Sequence, residues 1–249
     1  GDARAGCKSN LDLLRIKMLK TDSQIKRPDP ITEKDRVIQT TLMIHRQYEL
    51  IMHLIEKHHK NTFDPLEKLI DDGKTESAEC YEAYLYVFTL IDNLVKYYKI
   101  ADRFPKIKIA DKKPANHSIA KREIKEHIGI LAGARNTLQH IDEHLSEDHN
   151  GPLLGSICWV NQNKHYMVIW SDASKSKTTY AIPYDTWTNK YVTTLAYMYD
   201  GVSYDLDKAL ATMKRHHAWI SGTVHISIAD KPYAPGSYFM ISQYSFNNS

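Results

Sequence analysis

Apolar residues in the first 150 positions recur at steps of three and four, the spacing that lines one face of an α-helix. Tyr48, Ile51 and Ile55 follow this rhythm, with Val37 and Leu42 as apolar positions before them. Thr32, with Asp35 three residues on, resembles a capping box, so a helix is predicted over roughly 32–59. Tyr84, Phe88, Ile91, Leu94, Val95 and Tyr98 predict a second helix over about 76–103, which Pro105 ends. A third runs over about 118–145, and a short one over 11–20 follows Ser9 as a cap. Long helices joined by loops argue for a helical bundle whose aliphatic and aromatic stripes form its core.

The pattern changes at His149-Asn150-Gly151-Pro152, a helix-stop and turn signal. SICWV (156–160) and HYMVIW (165–170) flank NQNK and read as a hairpin. TTYAIP (178–183) and TVHISI read as further strands, and Asp200-Gly201 as a turn. Leu206, Leu210 and Met213 mark one face of a helix over Asp205–Trp219. YVTTLAYMYD suits either strand or helix, and FNNS is a loose tail. The expected fold is mainly α: a helical bundle over 1–150 with a strand-rich, α+β extension over 151–249. The pattern leaves open whether that extension is a separate domain or a sheet docked on the bundle.

Composition sharpens this boundary. Residues 1–150 carry 25 Lys/Arg and 24 Asp/Glu, leaving 8 and 6 for the rest, and no Glu follows Glu147. Glu and Lys favour helices, whereas the Thr, Tyr, Ser and Val of the second region favour strands. With 42% hydrophobic and 25% charged residues, the chain has the make-up of an ordinary globular protein. It lacks the run of about 18 apolar residues that a membrane helix needs. GDARAGCKSN has no apolar stretch of the kind a secretory signal carries. Cys7, Cys80 and Cys158 are odd in number and far apart, which predicts reduced thiols and a cytoplasmic setting. A net charge of +3 permits a nucleic-acid partner without announcing one.

The chemistry concentrates late in the third helix. Ile124, Ile128, Leu131, Leu138 and Leu145 form an apolar stripe, and the position completing the rhythm between Leu131 and Leu138 is Arg135. A guanidinium cannot discard its proton, so burying it demands a carboxylate, an anion or water. His140 lies five residues on, about 140° around the helix axis, so one helix alone splays the pair. Leu131-Ala132-Gly133-Ala134 is a small-residue patch that lets another helix approach.

Arg135-Asn136-Thr137-Leu138-Gln139-His140 resembles the R-N-x-x-x-H signature of the HEPN family, the higher eukaryotes and prokaryotes nucleotide-binding domain. That signature allows four to six residues between arginine and histidine, and such spacings recur at Arg122–His127, with four between, and Arg46–His53, with six. Arg135 is singled out by the polar Asn136 beside it, its place on the stripe and the small residues before it. The resemblance covers at most the helical region and implies an antiparallel bundle. It also implies a metal-independent endoribonuclease acting as a homodimer, in a toxin–antitoxin or phage-defence role with an antitoxin or other protein partner. Other members of the family are non-catalytic nucleotide-binding or interaction modules. In the catalytic reading His140, with an ordinary pKa near 6.5, serves as base or acid. Arg135 grips the phosphate bidentately, and Asn136 orients His140 or binds a phosphate oxygen. A second subunit would supply a second imidazole, and the product would carry a 2′,3′-cyclic phosphate.

A plainer alternative pairs Arg135 with Asp92 or Glu82 on a neighbouring helix and leaves His140 in solvent. His140 and His144 have metal-ligand spacing but no third ligand, so neither metal nor cofactor is expected. The doublets His58-His59 and His216-His217 diverge on a helix and read as surface residues. Lys106, Lys108, Lys112 and Lys113, in the loop before the third helix, suit RNA phosphates or plain solvation. Tyr184, Trp187 and Tyr191 suit base stacking or the packing of a sheet. No Walker loop, GxGxxG, GxSxG or HExxH is present.

Overall fold

The computed structural model describes residues 33–74, 77–104, 117–139, 152, 154–169 and 182–223. The chain divides into units 1–33 and 34–249, and the description concerns the second, into which the first helix runs. The predicted elements at 11–20, 140–145, 178–181 and TVHISI beyond residue 223 lie outside the described residues, as does the tail. What is described is mostly helical with a small antiparallel sheet, an α+β arrangement.

Helix α1 spans Glu33–Asp71 and continues well past the predicted end near residue 59. Proline inside a helix removes a backbone donor, and Pro65 stands on the exposed side here. The buried Thr62, Phe63 and Leu66 extend the core face across it, and Phe63 packs against Trp159 with ring centroids 4.8 Å apart. Tertiary packing therefore carries the helix through a residue that local propensity disfavours.

Helix α2, Ser77–Asp102, forms the middle of the helical layer. Ala83, Val87, Leu90, Ile91, Leu94 and Val95 are all fully buried, more than one stripe's worth. Gln47 bonds Asn93 and His59 bonds Tyr86, so α1 and α2 run antiparallel.

The third predicted helix is broken. Helix α3, His117–Ile124, passes through a π-helical turn at Lys125–Gly129 into α4, Leu131–Gln139. Such a turn holds an extra residue and rotates everything after it. A Cβ on Gly129 would stand 3.2 Å from the Tyr98 ring, so a glycine lets that ring lie against the turn. The buried line becomes Ile124, Ile128, Leu131 and Ala134, with Leu138 partly buried. Ala134 thus takes the core position that regular spacing assigns to Arg135, which moves to the rim. Each large apolar side chain on this line contributes roughly 1.5–3 kcal/mol by leaving water.

The sheet comprises β1 (Ser156–Asn161), β2 (Lys164–Ile169), β5 (Leu195–Tyr199) and β6 (Val202–Asp205) in the order β2-β1-β5-β6, all antiparallel. The two-residue strands β3 (Tyr184–Asp185) and β4 (Lys190–Tyr191) form a separate small hairpin. Gln162 and Asn163, both at positive φ, make the β1–β2 turn that the NQNK signal predicts. Asp200-Gly201 turns β5 into β6 in the same way. The ambiguous YVTTLAYMYD supplies β5, whose five residues are all buried.

Alternation explains why both faces of β1 and β5 are apolar. Ile157, Trp159, Leu195, Tyr197 and Tyr199 join the helical core. Cys158, Ala196 and Met198 face the other way and are covered by Ile182 and Tyr191. Ile182 and Pro183, the described end of the predicted strand TTYAIP, form no strand; the Ile182 N–H donates to His165 instead, at 3.1 Å. Among the described residues, helices and sheet share one core.

Polar anchors fix the docking. The Tyr84 hydroxyl donates to the Gly155 carbonyl at 2.9 Å, and Glu67 accepts from Trp159 and Asn161 at 2.8 and 2.7 Å. Gly155 sits at φ +69°, where a Cβ would meet the Met198 carbonyl oxygen at 2.4 Å, so only glycine fits the entry to β1. Helix α5, Leu206–Thr223, is capped by Asp205, which accepts from the Lys208 N–H at 2.8 Å.

Candidate functional site

Arg135 projects from α4 towards α2, its side chain 18% exposed. Its Nε–H donates to Asp92 Oδ1 at 2.6 Å, and its two terminal nitrogens make no hydrogen bond among the described residues. Lys96, one helical turn beyond Asp92, approaches Oδ2 of the same carboxylate at 2.7 Å. Burial opposes ionisation of Asp92, but hydrogen bonds and charge from Lys96 and Arg135 outweigh it and hold the carboxyl below its ordinary range. Among the described residues, two cations against one carboxylate leave one positive charge in excess at the rim of the α2–α4 seam.

The sequence named two partners for Arg135, and Asp92 is the one that binds it. Lys96 was missed, although Asp92 and Lys96 are four apart on a predicted helix, the spacing of an intrahelical ion pair. Asn136 is exposed on the turn carrying Arg135. His140, Lys106, Lys108, Lys112 and Lys113 lie outside the described residues, as does His144. The small-residue patch is met from within the chain: a Cβ on Gly133 would stand 3.7 Å from the Tyr204 hydroxyl.

The other arginine–histidine spacings serve different ends. Arg122 of α3 pairs with Glu126 of the π turn, and His127 bonds the Thr212 hydroxyl at 2.8 Å. Arg46 and His53 line an open groove of about 620 Å³ along α1, with Met43, Leu50 and Ile100 as apolar walls.

The surface assignment of the histidine doublets needs correcting. His58 is exposed, but His59 is half-buried and meets the Tyr86 hydroxyl at 3.2 Å. His216 is buried against the Tyr97 hydroxyl at 2.8 Å. His217 stacks on Tyr48 and meets His45 at 2.7 Å. Helix α5 is gripped from two sides, so neighbouring positions both find partners.

Tyr184 and Tyr191 pack edge to face, 5.0 Å between centroids, whereas Trp187 at the tip of the small hairpin is 96% exposed. No group of three or more His, Cys, Asp or Glu residues able to hold a metal occurs among the described residues. Burial pushes the Cys158 thiol up to about 11. No helix among the described residues is long and apolar enough to cross a membrane. No family model, curated protein or solved structure matches the chain.

Proposed function

We propose that the chain is a metal-independent endoribonuclease of HEPN type, with Arg135 as its phosphate ligand. The observation that carries this is the unequal charge at the seam: among the described residues Asp92 is shared by two cations, and the terminal N–H groups of Arg135 meet no acceptor. A phosphodiester oxygen matches that vacancy in charge and fork geometry. Because Asp92 holds Nε, the guanidinium plane is oriented in advance and loses less freedom on gripping an anion.

The remaining roles rest on the sequence pattern. His140 removes the 2′-hydroxyl proton or returns one to the 5′-oxygen, a contribution of about 10² to 10⁴ in rate. Asn136 orients that imidazole or binds a phosphate oxygen, and a second copy in a homodimer supplies the other imidazole. Lys106, Lys108, Lys112 and Lys113 draw the RNA backbone in. A role in toxin–antitoxin or phage-defence systems, with a protein antitoxin as partner, goes with this reading, as does a cytoplasmic setting.

The test is incubation of structured and unstructured RNA with the protein in EDTA. Wild type should cleave and leave 2′,3′-cyclic phosphate ends, while Arg135→Ala and His140→Ala should each be slower by at least about a hundredfold. Equal cleavage by all three would refute the assignment. A second reading, a non-catalytic nucleotide-binding or interaction module, is favoured by the commitment of Nε to Asp92 within the chain. It predicts RNA or nucleotide binding that depends on Arg135, with no cleavage by any form.

A further inference from the structure

His45 on α1 and His217 on α5 meet through Nδ1 and Nε2 at 2.7 Å, and their rings stand edge to face, 4.7 Å apart. The His217 ring also lies flat on Tyr48, one turn from His45, with centroids 3.7 Å apart and planes within 1°. The contact joins residues 172 apart in the chain. Its chemistry depends on the proton count. Two neutral imidazoles share one hydrogen bond, because one nitrogen donates and the other accepts. One added proton leaves that bond intact and charge-assisted. A second removes the only acceptor and sets two cations face to face.

We propose that His45 and His217 form an acid-operated latch, which clasps α1 to α5 with up to one extra proton and releases them on the second. The surroundings set the order of protonation. Burial holds His45 below the ordinary histidine value, and Glu49, one turn along α1, partly offsets this by attracting a proton. Burial, followed by the charge on His45, pushes His217 down to about 4. From α2, Tyr97 contributes a hydroxyl already bound to His216, the neighbour of His217 on α5. Lys214, one turn before His217, is exposed. On the far flank of α5, Arg215 pairs with Glu123 of α3, and His127 of the π turn bonds Thr212. Release of α5 would therefore loosen its hold on the segment leading to Arg135.

Hydrogen exchange of the full chain, corrected for intrinsic rates, reads the latch directly. Between pH 7 and pH 4.5, exchange of the 213–221 segment in wild type should rise at least about tenfold more than exchange of 84–95 in α2. His217→Phe keeps an aromatic ring for Tyr48 and cannot take a proton, so its two segments should rise together. An equal excess in His217→Phe would overturn the proposal. Imidazole titration of wild type by NMR gives an independent reading that does not rely on the variant folding. A His217 midpoint below about 5 supports the latch. A midpoint at the ordinary value near 6.5 overturns it.

Discussion

Asp207 and Asp92 are both half-buried carboxylates, yet they are satisfied in opposite ways. At the sheet–α5 junction one oxygen of Asp207 accepts from four neutral donors: the Thr194 N–H and hydroxyl at 2.6 Å each, and the Thr193 hydroxyl and Leu195 N–H at 3.1 Å. At the α2–α4 seam Asp92 faces two full cations. Neutral donors tie a loop down and leave the carboxylate's own charge in place. Two cations overcompensate, and among the described residues the surplus is positive. The first arrangement builds structure, whereas the second leaves a point to which an anion can be drawn.

The structural side of this comparison should break hardest. Gly155→Ala forces a Cβ to within 2.4 Å of the Met198 carbonyl at a left-handed φ, and should cost at least about 3 kcal/mol in chemical denaturation. Asp207→Ala strands backbone and hydroxyl donors at the start of β5 and should cost about 2–4 kcal/mol in the same assay.

Acid should act on both regions. His45, His59, His127, His165 and His217 are all held below the ordinary histidine value, burial being the first cause in each. The unfolded chain then binds more protons, so stability is complete above pH 6.5 and falls as pH drops towards the folded values, near 4 for His217. Asp92, also lowered, adds its loss only below the ordinary carboxylate range. Denaturation midpoints should hold from pH 7.5 to about 6.5 and decline from there to pH 4.5; a flat profile throughout would contradict the buried-histidine account.

Asp92→Asn sharpens the contrast with the smallest structural effect. It should cost about 1–2 kcal/mol, since the seam is partly open to solvent, while RNA binding tightens because the site gains a net positive charge. Weaker RNA binding in this variant would mean that Asp92 matters only for orientation.

Much of the architecture was legible because it follows local rules. The 3.6-residue rhythm located α1 and α2, and Asn163 and Gly201 marked tight turns that need positive φ. The run of Pro65 inside α1 was not legible, because only Phe63, Leu66 and the distant Trp159 make it tolerable. The π turn at Lys125–Gly129 was equally hidden. It is accommodated by Tyr98, a residue of another helix, and it shifts Arg135 from the stripe to its rim. At the candidate site the pairing with Asp92 was foreseen and Lys96 was not, although its spacing was visible. The partners of His216 and His217 come from α1 and α2, so no pattern within α5 announced them.

The central claim is that Arg135 keeps a hand free for phosphate while Asp92 holds its Nε. Binding of a short single-stranded RNA, measured across a salt series, tests it most directly. Arg135→Ala should weaken binding and reduce the salt slope by about one phosphate contact relative to wild type. An unchanged affinity and slope would show that Arg135 serves only to pair with Asp92.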